Sequence, residues 1–131
     1  MNFLWLTLLL HLTTAPHTAP PDPYLGTWLA EDQDGRIEIT RQGALYTGRF
    51  VGFKDVAASR RQGYELGAVV LRSFRPAGSE LAGKVMDWSA HKEYGGTLAA
   101  TDARHLVLKV KVMGVTAHAE TWTRLTGPTA Q

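Results

Sequence analysis

The chain has 131 residues, a length that fits one domain. Its 14 Lys and Arg against 12 Asp and Glu leave a formal charge of +2, too weak a bias for a nucleic-acid or polyanion binder. A hydrophobic share of 44% excludes a disordered chain, and the absence of Cys excludes disulfides, a thiol nucleophile, thiolate metal sites and a lipid anchor on Cys.

No charged side chain precedes Asp22. Residues 3–12 form an apolar run with one His. A bilayer span takes about 20 apolar residues, so this run is too short for one, and its length fits the h-region of a secretory signal peptide. Small residues and prolines occupy 13–21, where Ala15 with Thr13, or Ala19 with His17, is the candidate −1/−3 pair before a cleavage site, neither ideal because Pro follows each Ala. We expect a signal peptide over 1–19, a Pro-rich linker over 20–24, and export to the periplasm or the medium. The competing reading is an N-terminal strand or helix of the domain; the prolines argue against it by separating the run from the rest of the chain.

Beyond the prolines the chain is punctuated by turn signals at Asp32-Gln33-Asp34-Gly35, Gln42-Gly43, Pro76-Ala77-Gly78-Ser79, Ala90-His91-Lys92, Thr101-Asp102-Ala103-Arg104 and Gly114. Between them, runs such as Arg36-Ile37-Glu38-Ile39-Thr40 and His105-Leu106-Val107-Leu108-Lys109-Val110 alternate with period 2. No stretch after Pro23 places apolar residues at helical spacing. The pattern predicts eight strands, at about 25–30, 36–41, 44–53, 66–74, 80–89, 93–101, 105–113 and 117–125. Short links make neighbours antiparallel; the one long link is about 54–65. The expected fold is all-β, an eight-stranded antiparallel up-and-down β-barrel over 25–125 with a tail over 126–131. A sandwich of the same strands is the alternative, since period-2 patterning does not separate the two.

In such a meander the first strand starts and the last strand ends at one end of the barrel. That brings Trp28, in Gly26-Thr27-Trp28, beside Arg124, in Trp122-Thr123-Arg124. A guanidinium over an indole face is worth about 0.5–2 kcal/mol, so Trp28 plugs that end and Arg124 covers it. The opposite end carries the long loop and is the expected mouth.

The same residues resemble the lipocalin signature, a G-x-W tryptophan with an Arg near the last strand. A wider ordered set resembles the exported bacterial family called domain of unknown function 2147, which is lipocalin-like. The set is Gly26-Thr27-Trp28, Gly35-Arg36-Ile37-Glu38-Ile39, Tyr46-Thr47-Gly48-Arg49, Leu71 to Phe74, Leu81-Ala82-Gly83-Lys84-Val85, Tyr94-Gly95-Gly96-Thr97-Leu98, Leu106 to Val110 and Trp122-Thr123-Arg124. One segment departs: Asp87-Trp88-Ser89-Ala90-His91-Lys92 stands where that family tends to an Asp-Pro turn followed by Gly and Lys, so the mouth is expected to differ. The resemblance implies a lipocalin-like barrel and export, and no activity.

With charged residues setting the outer face, the inward set is Trp28, Ile37, Ile39, Tyr46, Phe50, Val69, Leu71, Leu81, Val85, Tyr94, Leu98, Leu106, Leu108 and Val110. Eight strands enclose either a filled core or room for one small ligand. Tyr46, Phe50, Asp87, Trp88, His91 and Tyr94 are the candidate ligand-binding residues. Asp87 is either an anchor for a ligand amine or hydroxyl, or a hydrogen-bonded structural Asp at a strand end. Trp88 and Tyr94 form an aromatic gate or a plain cross-strand pair. Lys54, Arg60, Arg61, His91 and Lys92 cluster at the same end, as recruiters of an anionic ligand or as a solvated face that Glu31, Asp32 and Asp34 partly cancel.

His118 and Glu120 share a face of one strand, but the third ligand for a metal, His105, is predicted at the other end, so no metal site is assigned. Neither G-x-S-x-G nor H-E-x-x-H nor a phosphate loop is present, so no catalytic residue and no cofactor are assigned. The expected function is an exported barrel holding a small apolar or amphipathic ligand. The alternative is a filled barrel that meets an envelope protein partner through outer apolar residues such as Val70 and Phe74. Enzyme activity ranks third.

Overall fold

The computed structural model describes residues 21–127; the expected signal peptide and the end of the tail lie outside them. Eight strands occur in chain order: β1 Gly26–Leu29, β2 Gly35–Gln42, β3 Leu45–Phe53, β4 Val69–Ala77, β5 Glu80–Asp87, β6 Lys92–Asp102, β7 His105–Val112 and β8 Val115–Thr126. Each pairs antiparallel with the next, and β1 closes on β8, giving an up-and-down barrel with no crossover. Closure has a chemical cause: strands such as β2 and β7 carry an apolar inner stripe, every strand carries a row of backbone donors and acceptors, and a ring satisfies both.

Two features differ from the sequence-based expectation. The long link holds a helix, α1 Val56–Arg61. It has no apolar stripe, which is why periodicity misses it; its signal is at the ends. Asp55 caps it by accepting from the Ala58 amide at 3.0 Å, and Arg60 and Arg61 occupy the last turn, where cations suit the helix dipole. The second difference is β4, which starts and ends later than expected and contains Pro76.

β4 also carries two β-bulges, each one extra residue against its partner. Arg49 pairs with Val69 while the preceding Gly48 pairs with Leu71, so Val70 is extra and turns inward. Arg72 pairs with Lys84 while Arg75 pairs with Ala82, and in that stretch Ser73 adopts a left-handed φ of 55°. The second bulge restores Phe74 to the inner face, where it is fully buried. Val70 and Phe74 therefore belong to the interior, which corrects the expectation of an outer apolar patch on this strand. Val69, expected inward, is only half-buried.

The half of the barrel where β1 starts and β8 ends is filled. Trp28 is fully buried, and Arg124 lays its guanidinium over the ring with Cζ 4.3 Å from the centroid. The Trp28 indole N–H donates to the Tyr24 carbonyl at 3.0 Å. Arg124 donates to the carbonyls of Leu25, Pro23 and Ala103 at 2.6, 2.8 and 2.8 Å. One side chain thus ties the entering chain, the β6–β7 turn and β8 together. The segment before β1, expected as linker, packs on the same end: Tyr46 donates its hydroxyl to Asp22 at 2.6 Å, Arg41 donates to the same oxygen at 2.9 Å, and Tyr24 meets the Tyr46 ring edge-on at 5.7 Å.

Phe74 fills the space beside Gly83. A Cβ on Gly83 would stand 2.5 Å from the Phe74 ring and 2.7 Å from its Cα, so only glycine lets β5 approach β4 here.

Candidate functional site

The opposite end is built from the β1–β2 link, the long β3–β4 link with α1, the β5–β6 turn and the β7–β8 hairpin. A cavity of about 230 Å³ opens there. The interior is therefore neither filled throughout nor hollow throughout: one half is packed, the other keeps a pocket.

One wall is aromatic. Phe50 on β3 packs against Phe53 at 5.0 Å, and Tyr64, beyond α1, meets Phe50 edge-on at 5.7 Å. α1 makes this possible by turning the long link back over the barrel, with the Ser59 carbonyl accepting from the amides of Gln62 and Tyr64. Ser59 itself is buried and lines the cavity.

The facing wall is β8. His118, Glu120 and Trp122 pair with Val110, Leu108 and Leu106 and so share the inner face. All three line the cavity. Trp122 is fully buried and donates its indole N–H to Glu120 Oε1. Glu120 Oε2 takes His118 Nε2 at 3.0 Å, the tautomer with the proton on Nε2 donating. Toward this end β8 runs past β1: pairing with β1 stops at Thr123, and 115–120 pair with β7 alone. That leaves the His118 side chain 61% exposed at the rim.

The rim is acidic. Asp32, Asp34, Asp87 and Glu120 line the cavity with His118, and among the described residues no Lys or Arg does. Lys54, Arg60, Arg61, His91 and Lys92, read from sequence as recruiters of an anion, lie at this end but outside the lining. All five are exposed, as solvated cations are.

Of the six candidate ligand-binding residues, Phe50 and Asp87 line the cavity. Asp87 is committed locally: its Oδ1 accepts from the Ser89 hydroxyl at 2.7 Å and from the amides of Ser89 and Ala90 at 3.0 and 3.2 Å. The Ser89 hydroxyl above all, with these amides, holds the Asp87 carboxyl below the usual carboxylate range against the opposing effect of burial. Trp88 donates its indole N–H to the Val69 carbonyl at 2.9 Å, which ties the β5–β6 turn to β4. His91 is exposed, at a left-handed φ of 51°, edge-on to Trp88 at 6.5 Å. Tyr94 opposes Val85 and is half-buried.

Tyr46 lies at the filled end, its phenol pushed up first by burial and then by donation to Asp22. Sequence reasoning missed Tyr64, Ser59 and Trp122 as cavity residues. A signal existed for Trp122: it has the same strand parity as His118 and Glu120, and a tryptophan on that face marks it as inner.

His105 is at the other end, bound to Asp102 Oδ1 at 2.9 Å, so it does not meet His118. Among the described residues no helix is long and apolar enough to cross a membrane.

No curated protein and no solved structure matches the chain. A family model does, over residues 26–124, from the first residue of β1 to the arginine that covers Trp28. The chain belongs to this family, described as an uncharacterized protein conserved in bacteria, domain of unknown function 2147.

Proposed function

We propose that this is an exported barrel that binds a small amphipathic ligand at its open end. The observation that carries the reading is the cavity, with aromatic rings on one wall and carboxylates at its rim. Apolar walls with a few placed polar groups are the usual make-up of a small-molecule site. Its volume, about 230 Å³, is below the roughly 300–1,000 Å³ of drug-sized sites, so the ligand is small. Export is supported by the apolar, uncharged leader with its small residues.

Native mass spectrometry on the exported protein, purified without detergent, tests this. The expected result is a stoichiometric small adduct that is lost on denaturation. A clean single-chain mass counts against it.

A second reading, an interaction module, has one observation in its favour. Val112, Met113 and Val115 stand exposed at the tip of the β7–β8 hairpin, where β8 has no neighbour on its β1 side. On that reading the same spectrum contains a protein partner.

A further inference from the structure

We propose that the ligand of the open-end cavity is a small organic cation, an ammonium group carried on an apolar body of about one aromatic ring. This rests on the ligand-binding reading above and deepens it. Three independent observations lead there.

The first is charge. Four carboxylates and one histidine border the cavity, with no Lys or Arg among the described lining residues. Acidic groups beside low-dielectric walls favour cations and repel anions. Glu120 is the natural anchor. It stands on the inner face of β8, and its Oε2 is held only by His118, whose exposure makes it a weak, screened partner. An ammonium entering from the rim replaces His118 there.

The second is Ser59. It is 4% exposed, and its hydrogen bonds among the described residues are made by its backbone. Every fully enclosed side-chain nitrogen or oxygen in the described chain does have a partner. The Ser59 hydroxyl is therefore not fully enclosed; it has no partner among the described residues, and its residue lines the cavity. A ligand N–H donor satisfies it.

The third is the shape of the walls. Phe50, Tyr64 and Trp122 line the cavity with aromatic surface that suits an apolar body, and aromatic rings also attract a cation. The volume admits a single ring and excludes a long acyl chain, because the half below is filled by Trp28, Phe74 and Leu106.

The test is equilibrium dialysis of the protein at neutral pH with three matched probes: benzylamine, benzyl alcohol and benzoate. Benzylamine is expected to bind best and benzoate worst. Glu120→Gln keeps an oxygen for the Trp122 indole, so the fold is preserved; it should weaken benzylamine about tenfold and leave benzyl alcohol nearly unchanged. His118→Ala, at the exposed rim, should strengthen benzylamine by freeing Oε2. Should Glu120→Gln fail to fold, Asp34→Asn provides the same reading with a smaller loss. Benzyl alcohol or benzoate held as tightly as benzylamine overturns the cation and leaves the ligand site standing. Retention of none of the three overturns both.

Discussion

The two ends of the barrel use the same kinds of residue to opposite effect. Each has a buried tryptophan with its indole N–H satisfied and a charged side chain beside it: Trp28 with Arg124, Trp122 with Glu120. At the closed end the charge is taken up by the protein itself, since all three guanidinium nitrogens donate to backbone carbonyls. At the open end Glu120 keeps one oxygen on an exposed histidine. The lesson is that a charge anchored by rigid backbone closes a barrel, while a charge held by an exposed rim side chain remains available.

That contrast is broken most directly by Trp28→Ala. Removing a fully buried indole from the closed end should cost about 3–5 kcal/mol, read by urea unfolding. A change of less than about 1 kcal/mol would show that this end does not hold the fold. Arg124→Ala should cost less, about 1–3 kcal/mol, because it frees three carbonyls and uncovers the ring. Burial lowers the Arg124 pKa, yet a guanidinium stays protonated, so this loss should not vary across neutral pH. Gly83→Ala sharpens the same side. The added methyl meets Phe74, including its backbone, and overpacking of this kind costs about 1–3 kcal/mol.

The open end should be tolerant. His118→Ala removes one exposed hydrogen bond and should change unfolding stability by no more than about 0.5 kcal/mol. Asp87 gives a pH signature. Its folded carboxyl titrates below the ordinary value, so its stabilising effect is present above the unfolded pKa and is lost as pH falls through the folded one. Asp87→Asn, which keeps an acceptor for the turn, should therefore lose less stability than the natural chain on acidification below about pH 4. Equal losses would place the acid sensitivity elsewhere.

The closed end was legible in the sequence because it needs only strand parity and topology. Once eight strands alternate in direction, Trp28 and Arg124 are neighbours, and the structure pairs them in register. β4 was not legible in the same way. A bulge reverses the faces of everything after it and leaves no trace in composition, so alternation sends Val70 and Phe74 outward when two bulges turn them in. The cavity was legible only in part. Phe50 and Asp87 came from parity, but the rule that charged residues mark the outer face fails near a wet mouth. There Glu120 and His118 stand on the inner face. Tyr64 and Ser59 depend on a six-residue helix whose signal is one cap and two arginines, with no periodicity to find.

Trp28 and Trp122 make the division of labour directly measurable by NMR, because each indole N–H reports one end. Benzylamine or benzyl alcohol, added to saturation, should move the Trp122 indole resonance and leave that of Trp28 in place. A Trp28 resonance that moves while Trp122 stays fixed would contradict the account and put the binding site at the Trp28 end.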